Sequence, residues 1–255
     1  MSRRIGRRKA RGSGRRRSAA QKLYGATAFN DTNSMATAGD GIIGSATTGL
    51  NLELLVTWNA VPATTQYITS RAAGFAGWGF LQLSADLYFF VTDGAAVFNS
   101  PGRTIVAGDL NKVHRISGVW DTAGVVRLYF NGVEVGSGTA AATYSPLGAG
   151  TRTPLGLRSN GASSFTSGTL YGMQGGNQVA TAAEIAAAWA ADKANATLTA
   201  IASKTEKRWL VSNGGTPSSV PSTINDTIGG DNVTTFNGTG AAGLTLVTNT
   251  SVVWG

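Results

Sequence analysis

The chain has 255 residues, with 21 Lys and Arg against 13 Asp and Glu, one His and no Cys. The missing thiols exclude disulfides, thiolate metal sites and Cys nucleophiles, and a single His excludes His-rich metal centres. No stretch of 18 uninterrupted apolar residues exists for a membrane-crossing helix, while 35 Gly and 13% charged residues predict many turns and argue against an enzyme.

The charge lies at one end. Residues 1–22 hold Arg3, Arg4, Arg7, Arg8, Lys9, Arg11, Arg15, Arg16, Arg17 and Lys22, ten cations and no acid. The other 11 cations face all 13 acids, so residues 23–255 carry about −2. With Ile5 as its one sizeable apolar side chain, the arm cannot bury enough surface to offset the entropy of ordering. It is expected to be disordered, or ordered by a partner. Arg grips phosphate through a planar fork, and neutralised phosphates release counterions. The ten cations are therefore candidate contacts for nucleic acid or another polyanion, with a protein-docking arm and an inert tail as alternatives. A secretory signal needs an apolar run after its basic start, whereas Arg and Gly continue here to Arg17. The protein is expected to stay in the cytosol where it is made, or to leave inside something larger.

Residues 23–255 are expected to form one domain. Leu50–Trp58, Gln66–Ser70, Gly79–Leu83 and Leu87–Thr92 are short β runs at roughly ten-residue intervals, without helical patterns between them, which predicts an antiparallel sandwich or barrel. In Val113–Gly136, His114, Ile116, Gly118 and Trp120 share one strand face, and Arg115, Ser117 and Val119 the other. Asp121-Thr122-Ala123-Gly124 forms a turn. Val126, Leu128 and Phe130 then alternate with Arg127 and Tyr129 up to Asn131-Gly132, a type I′ hairpin signal. Among apolar neighbours, His114 is expected to be structural or hydrogen-bonding rather than catalytic.

Thr181-Ala182-Ala183-Glu184 is a capping box that opens a helix. Ile185, Ala188, Trp189 and Asp192 form its packing stripe, with Asp192 expected where the helix leaves the core. Further β signals follow at Arg208–Ser212, Val233–Phe236, Leu244–Thr248 and Val252–Trp254.

Lys112-Val113-His114-Arg115-Ile116 and Arg127-Leu128-Tyr129-Phe130-Asn131-Gly132-Val133-Glu134-Val135, followed by Pro154–Leu157, Ser167–Leu170 and Thr181–Ile185, resemble the laminin-G-like branch of the concanavalin A-like lectin/glucanase superfamily. Lys112 stands where that pattern has Trp. The resemblance implies an all-β jelly-roll sandwich of two antiparallel sheets with one short helix. That fold hosts lectins, glucanases, adhesion modules and virion proteins, so it implies no single function. The Gly-, Ala- and Thr-rich body and basic start also look like those of phage structural proteins.

The superfamily's glucanases set paired carboxylates along one strand. Glu53, Glu134, Glu184 and Glu206 each lack a carboxylate two positions away. Asp226 and Asp231 read as loop caps, and Gly229-Gly230 and Gly238-Thr239-Gly240 as turns. No metal, cofactor or catalytic residue is expected. Trp78, Tyr144 and Trp254 are candidate aromatic platforms for a glycan, without a defined sugar site. The expected function is that of a non-enzymatic phage virion structural protein, assembled in the host cytoplasm. Its partners would be virion proteins or further copies of itself, with nucleic acid on the arm and no membrane. A carbohydrate-binding module for host-surface attachment is the alternative.

Overall fold

The computed structural model describes residues 22–27, 29, 33–37, 48–73, 76–140, 154–155, 165–212, 223–224, 227–228, 233–238 and 244–255. Of the ten arm cations, Lys22 falls within these; Arg3 to Arg17, Tyr144, Asp226 and Asp231 lie outside them. In chain order the strands are β1 (Leu23–Thr27), β2 (Asn33–Thr37), β3 (Gly49–Trp58), β4 (Gln66–Ala73), β5 (Ala76–Leu83), β6 (Asp86–Thr92), β7 (Val97–Asn99) and β8 (Arg103–Thr104). They continue with β9 (Val113–Asp121), β10 (Val125–Phe130), β11 (Val133–Thr139), β12 (Pro154–Leu155) and β13 (Gly168–Gly176). Helix α1 (Ala182–Asn195) and strands β14 (Lys207–Leu210), β15 (Val233–Gly238) and β16 (Thr245–Asn249) complete the chain.

Two antiparallel sheets stack face to face. One runs β11-β10-β9-β3-β13-β1-β16, with β14 also on β13; the other runs β15-β2-β12-β4-β5-β6-β7, with β8 on β6. The expected all-β sandwich with one helix is the fold observed. In β3, Leu50, Leu52, Leu54, Val56 and Trp58 point into the space between the sheets, where they meet Trp78, Phe80, Phe89, Trp120 and Trp209. The outward set Asn51, Glu53, Leu55 and Thr57 is buried too, because α1 and the chain after it roof that face. A strand buried on both sides reads as a near-continuous apolar run, and the polar exceptions in this one are informative.

Local chemistry accounts for the turns. Asn131 and Gly132 take φ of 54° and 83°, as a type I′ turn requires, and a Cβ on Gly132 would lie 3.0 Å from the Ala186 Cα. The hairpin tip therefore seats the helix. Thr181 Oγ1 accepts from the Glu184 amide, and the Glu184 carboxylate accepts from the Thr181 amide at 2.8 Å, the expected capping box.

Three expectations are corrected. Asp192 does not mark where the helix leaves the core; it is fully buried, because Arg115 awaits it beneath. Trp78 is not an aromatic platform for a glycan but a core residue of β5 with no exposure. Val252–Trp254 is not a strand; it contributes one parallel bridge from Trp254 to Val113.

Candidate functional site

Beneath α1, alternation in three adjacent strands puts Glu53, Arg115 and Gln174 on the same outward face. Arg115 donates to Glu53 at 2.5 Å and to Asp192 at 2.7 Å, and both its terminal nitrogens reach the Thr199 carbonyl. Gln174 donates to Glu53 and to the same carbonyl, while the Thr199 amide donates to Asp192 at 2.6 Å. One guanidinium thus serves two carboxylates in a fully buried layer. Burial pushes the Asp192 carboxyl up to about 6, against the pull of Arg115 and the Thr199 amide. Burial by itself would lower Arg115, but Glu53 and Asp192 overcome it and hold the guanidinium above its ordinary value. Two carboxylates on one cation resemble a hydrolytic pair, yet Glu53, Arg115 and Asp192 have no side-chain exposure. The arrangement pins the helix to the sheet and presents nothing to a substrate.

The raised Asp192 has a measurable consequence. A group whose folded pKa exceeds its unfolded value of about 3.9 stabilises the fold fully below that value. Its contribution fades as pH rises through about 6. Relative to Asp192→Asn, the wild type is expected to lose roughly 2 kcal/mol between about pH 4.5 and pH 7. Urea unfolding of both proteins at the two pH values checks this; a constant difference contradicts it. His114 acts in the opposite sense and cancels in that comparison, because burial depresses its pKa.

His114 faces the inter-sheet core. Its Nε2 lies 2.8 Å from the Asp109 carbonyl and so carries the proton; Nδ1 accepts from the Asn131 amide at 3.0 Å. Phe130 and Trp58 flank the ring at 4.6 and 5.7 Å. With both nitrogens engaged and the ring 1% exposed, the histidine holds the Asp109 turn to the hairpin, the structural role its setting suggested.

One concavity follows from how β13 changes partners. At Leu170 it pairs with Ala26 of β1, and from Gly172 onward it pairs with β14, beginning at Leu210. On its other edge the register with β3 slips between Leu170 and Gly172, which makes Tyr171 the extra residue of a β-bulge and re-aims its ring. Where β1 diverges and β14 takes over, a cleft of about 200 Å³ opens. Tyr24, Leu55, Tyr171, Leu198 and Leu210 line it, with Lys22, Thr197 and Ser212 as its polar members. The Tyr171 hydroxyl accepts from Thr57 at 3.3 Å and its carbonyl accepts from the Val211 amide, which fixes the ring. Ala196 closes the wall in a left-handed conformation at φ 47° as the chain leaves α1.

Lys22 is the arm cation that the structure places, exposed beside this cleft. Trp254 is not among the lining residues; half-buried and edge-on to Trp189 at 5.3 Å, it packs against the apolar cluster that includes Tyr171 and Leu198. Tyr24, Tyr171, Thr197 and Ser212 escaped the sequence reading. Among the described residues no three of the His, Asp and Glu side chains converge as a metal site would require.

A family model described as the concanavalin A-like lectin/glucanases superfamily matches residues 30–186. No curated protein matches the sequence. Among solved structures, a Bacteroides ovatus ATCC 8483 protein ascribed carbohydrate binding superposes with a TM-score of 0.63 at 11% identity, over 89% of this chain and 60% of its own. A heptameric SAP-like pentraxin of Limulus polyphemus gives 0.48 at 13%, over 73% and 91%. The binding domain of botulinum neurotoxin DC gives 0.49 at 11%, over 67% and 42%. The chain thus spans less than two thirds of the Bacteroides and toxin structures, and at these identities the likeness is one of fold.

Proposed function

The chain belongs to the concanavalin A-like lectin/glucanases superfamily, and from that premise we propose that it is a carbohydrate-binding module that seats a sugar in the cleft beside Tyr171. The observation that carries this reading is the cleft itself. Its floor is the apolar edge formed by Leu55, Tyr171, Leu198 and Leu210, of which Tyr171 is 4% exposed, and half-buried Thr197 and Ser212 with exposed Lys22 form its polar margin. A sugar needs an apolar surface for its C–H face and polar partners for its hydroxyls, the mixture typical of small-ligand sites. The volume lies below the roughly 300–1,000 Å³ of drug-sized sites, which suits one ring rather than a long oligosaccharide.

Binding without hydrolysis is part of the proposal. Among the described carboxylates, Glu53 and Asp192 are committed to Arg115, Asp109 to Arg103 and Asp121 to Arg127. Thr197→Trp and Ser212→Gln, each filling the cleft from its margin, are expected to abolish binding to whichever glycan an array identifies, with the unfolding midpoint unchanged. Undiminished affinity in both variants, or a blank array, would sink the reading.

A second reading keeps the particle role, with the arm anchoring the chain to nucleic acid or to a protein lattice inside a virion. The ten cations of residues 1–22 support it, whereas the family and the fold favour the carbohydrate reading. If all ten meet phosphates, log affinity for an oligonucleotide should fall with log salt at a slope near about −9. A salt-insensitive association would remove its basis.

A further inference from the structure

We propose that the chain forms a two-fold dimer through β11, whose outer edge pairs antiparallel with the same edge of a second copy. β11 ends its sheet, and among the described residues its one strand partner is β10. Its seven residues therefore carry a second row of amides and carbonyls that no described residue takes up. Such an edge is a template for another strand, and proteins blunt it with Lys, Pro or inward-pointing charges. β11 (VEVGSGT) has no Lys and no Pro. Its one charge, Glu134, accepts from the Tyr129 hydroxyl at 3.2 Å, while Val133 and Val135 are 65% and 36% exposed. The strand is also held from beneath. A Cβ on Gly136 would lie 2.8 Å from the Pro101 Cβ, and one on Gly138 2.8 Å from the Asn99 carbonyl. The bulge at Val135 bends the edge but adds no charge to it.

The strand's own sequence suits a copy of itself. A two-fold axis through Gly136 is the register that pairs the whole strand. It sets Val133 opposite Thr139, Glu134 opposite Gly138 and Val135 opposite Ser137 of the other copy. Like charges directly opposite one another are destabilising, and this register has none. The two Glu134 residues stand four positions apart along the pair, about 14 Å, beyond the Debye length of about 10 Å at 0.1 M salt. An axis through Glu134 would instead oppose the two acids. A contact between β11 and β16, the two ends of the same sheet, would be head-to-tail and continue into a ring or a filament.

The axis stands perpendicular to the joined sheet, so the α1 faces of both copies lie on one side. From β13 of one copy to β13 of the other is nine strand spacings, roughly 43 Å along the sheet. On the carbohydrate reading, which the dimer itself does not need, the two Tyr171 clefts would then grip one glycan-bearing surface together.

Sedimentation equilibrium of the full chain tests this at about 0.15 M and about 1 M salt, the second of which screens any association through the basic residues 1–22. A dimer is expected at both. Ser137→Glu places a charge on the paired edge yet faces Arg127 across the hairpin, so the unfolding midpoint should hold. It should weaken the dimer at least about tenfold, because the symmetry repeats the change at two contacts. Adding Val135→Lys, opposite position 137 of the other copy, should restore it. A monomer at every concentration would overturn the inference. So would a dimer indifferent to Ser137→Glu, a dimer lost at the higher salt, or a series of species that grows with concentration. Loss in Ser137→Glu without recovery in the double variant would contradict the pairing through Gly136.

Discussion

Replacing Arg115 by Leu is expected to cost about 3–5 kcal/mol, the cost of breaking a buried ion pair by removing one partner. The reason is the asymmetry of the layer under α1. Glu53 and Asp192 have no exposure and share this one cation, so its loss strands two carboxylates together, and the Thr199 carbonyl loses both of its guanidinium donors. Against a typical stability of about 5–15 kcal/mol, that is a large share. The urea midpoint should drop sharply, with α1 loosening first because Asp192 is its anchor. Removing all three charges, with Glu53, Arg115 and Asp192 each changed to Leu, should recover most of the loss, since apolar replacement of a buried ion network is often neutral or better. A small effect in the single variant would mean that the layer is wetter than its burial indicates.

Trp58→Ala is expected to destabilise by about 3–5 kcal/mol, in the range of large-to-small core changes. Trp58 is unexposed at the end of β3, stacked on Phe130 at 6.1 Å and edge-on to Phe165 at 6.4 Å. Its Nε1 donates to Gln82 across the sandwich at 3.2 Å, so truncation leaves a cavity and also an unpaired buried acceptor. Trp58→Phe keeps most of the volume and loses the hydrogen bond. It should cost about 1–3 kcal/mol, the penalty for orphaning a buried polar group. Chemical denaturation of the two variants separates the contributions; equal losses would assign everything to the hydrogen bond.

Much of the sandwich is legible in the sequence because apolar alternation writes it directly. Leu50 to Trp58, Leu87 to Thr92 and the hairpin around Asn131-Gly132 all emerge as strands. β13 does not, since GTLYGMQGG carries four glycines and little β propensity, although it is central and wholly buried. Its glycines answer to close approach: a Cβ on Gly168 would meet the Thr57 carbonyl, and one on Gly172 would lie 2.9 Å from the Trp209 carbonyl. β1 and β2 (LYGAT and NSMAT) are five residues each, too short to show an alternation of their own.

The candidate site is harder to read for a related reason. Its lining comes from residues 22–24, 55, 171, 196–198, 210 and 212, which meet only because β13 exchanges β1 for β14, and no local motif encodes that exchange. Trp78, set in a Gly-rich stretch that suggests an exposed platform, is instead a buried residue of β5. The buried clamp left one usable signal. Glu53 sits between Leu52 and Leu54 in a run that is apolar enough to be buried, and a charge in such a strand requires a partner.

The measurement that tests the account most directly is an amide chemical-shift titration of the isotope-labelled full chain with a glycan bound on an array. The account predicts shifts concentrated at Lys22, Tyr24, Tyr171, Thr197 and Ser212, saturating together. Shifts confined to the opposite sheet, around β4 to β8, or spread over residues 1–22 with the cleft silent, would contradict it.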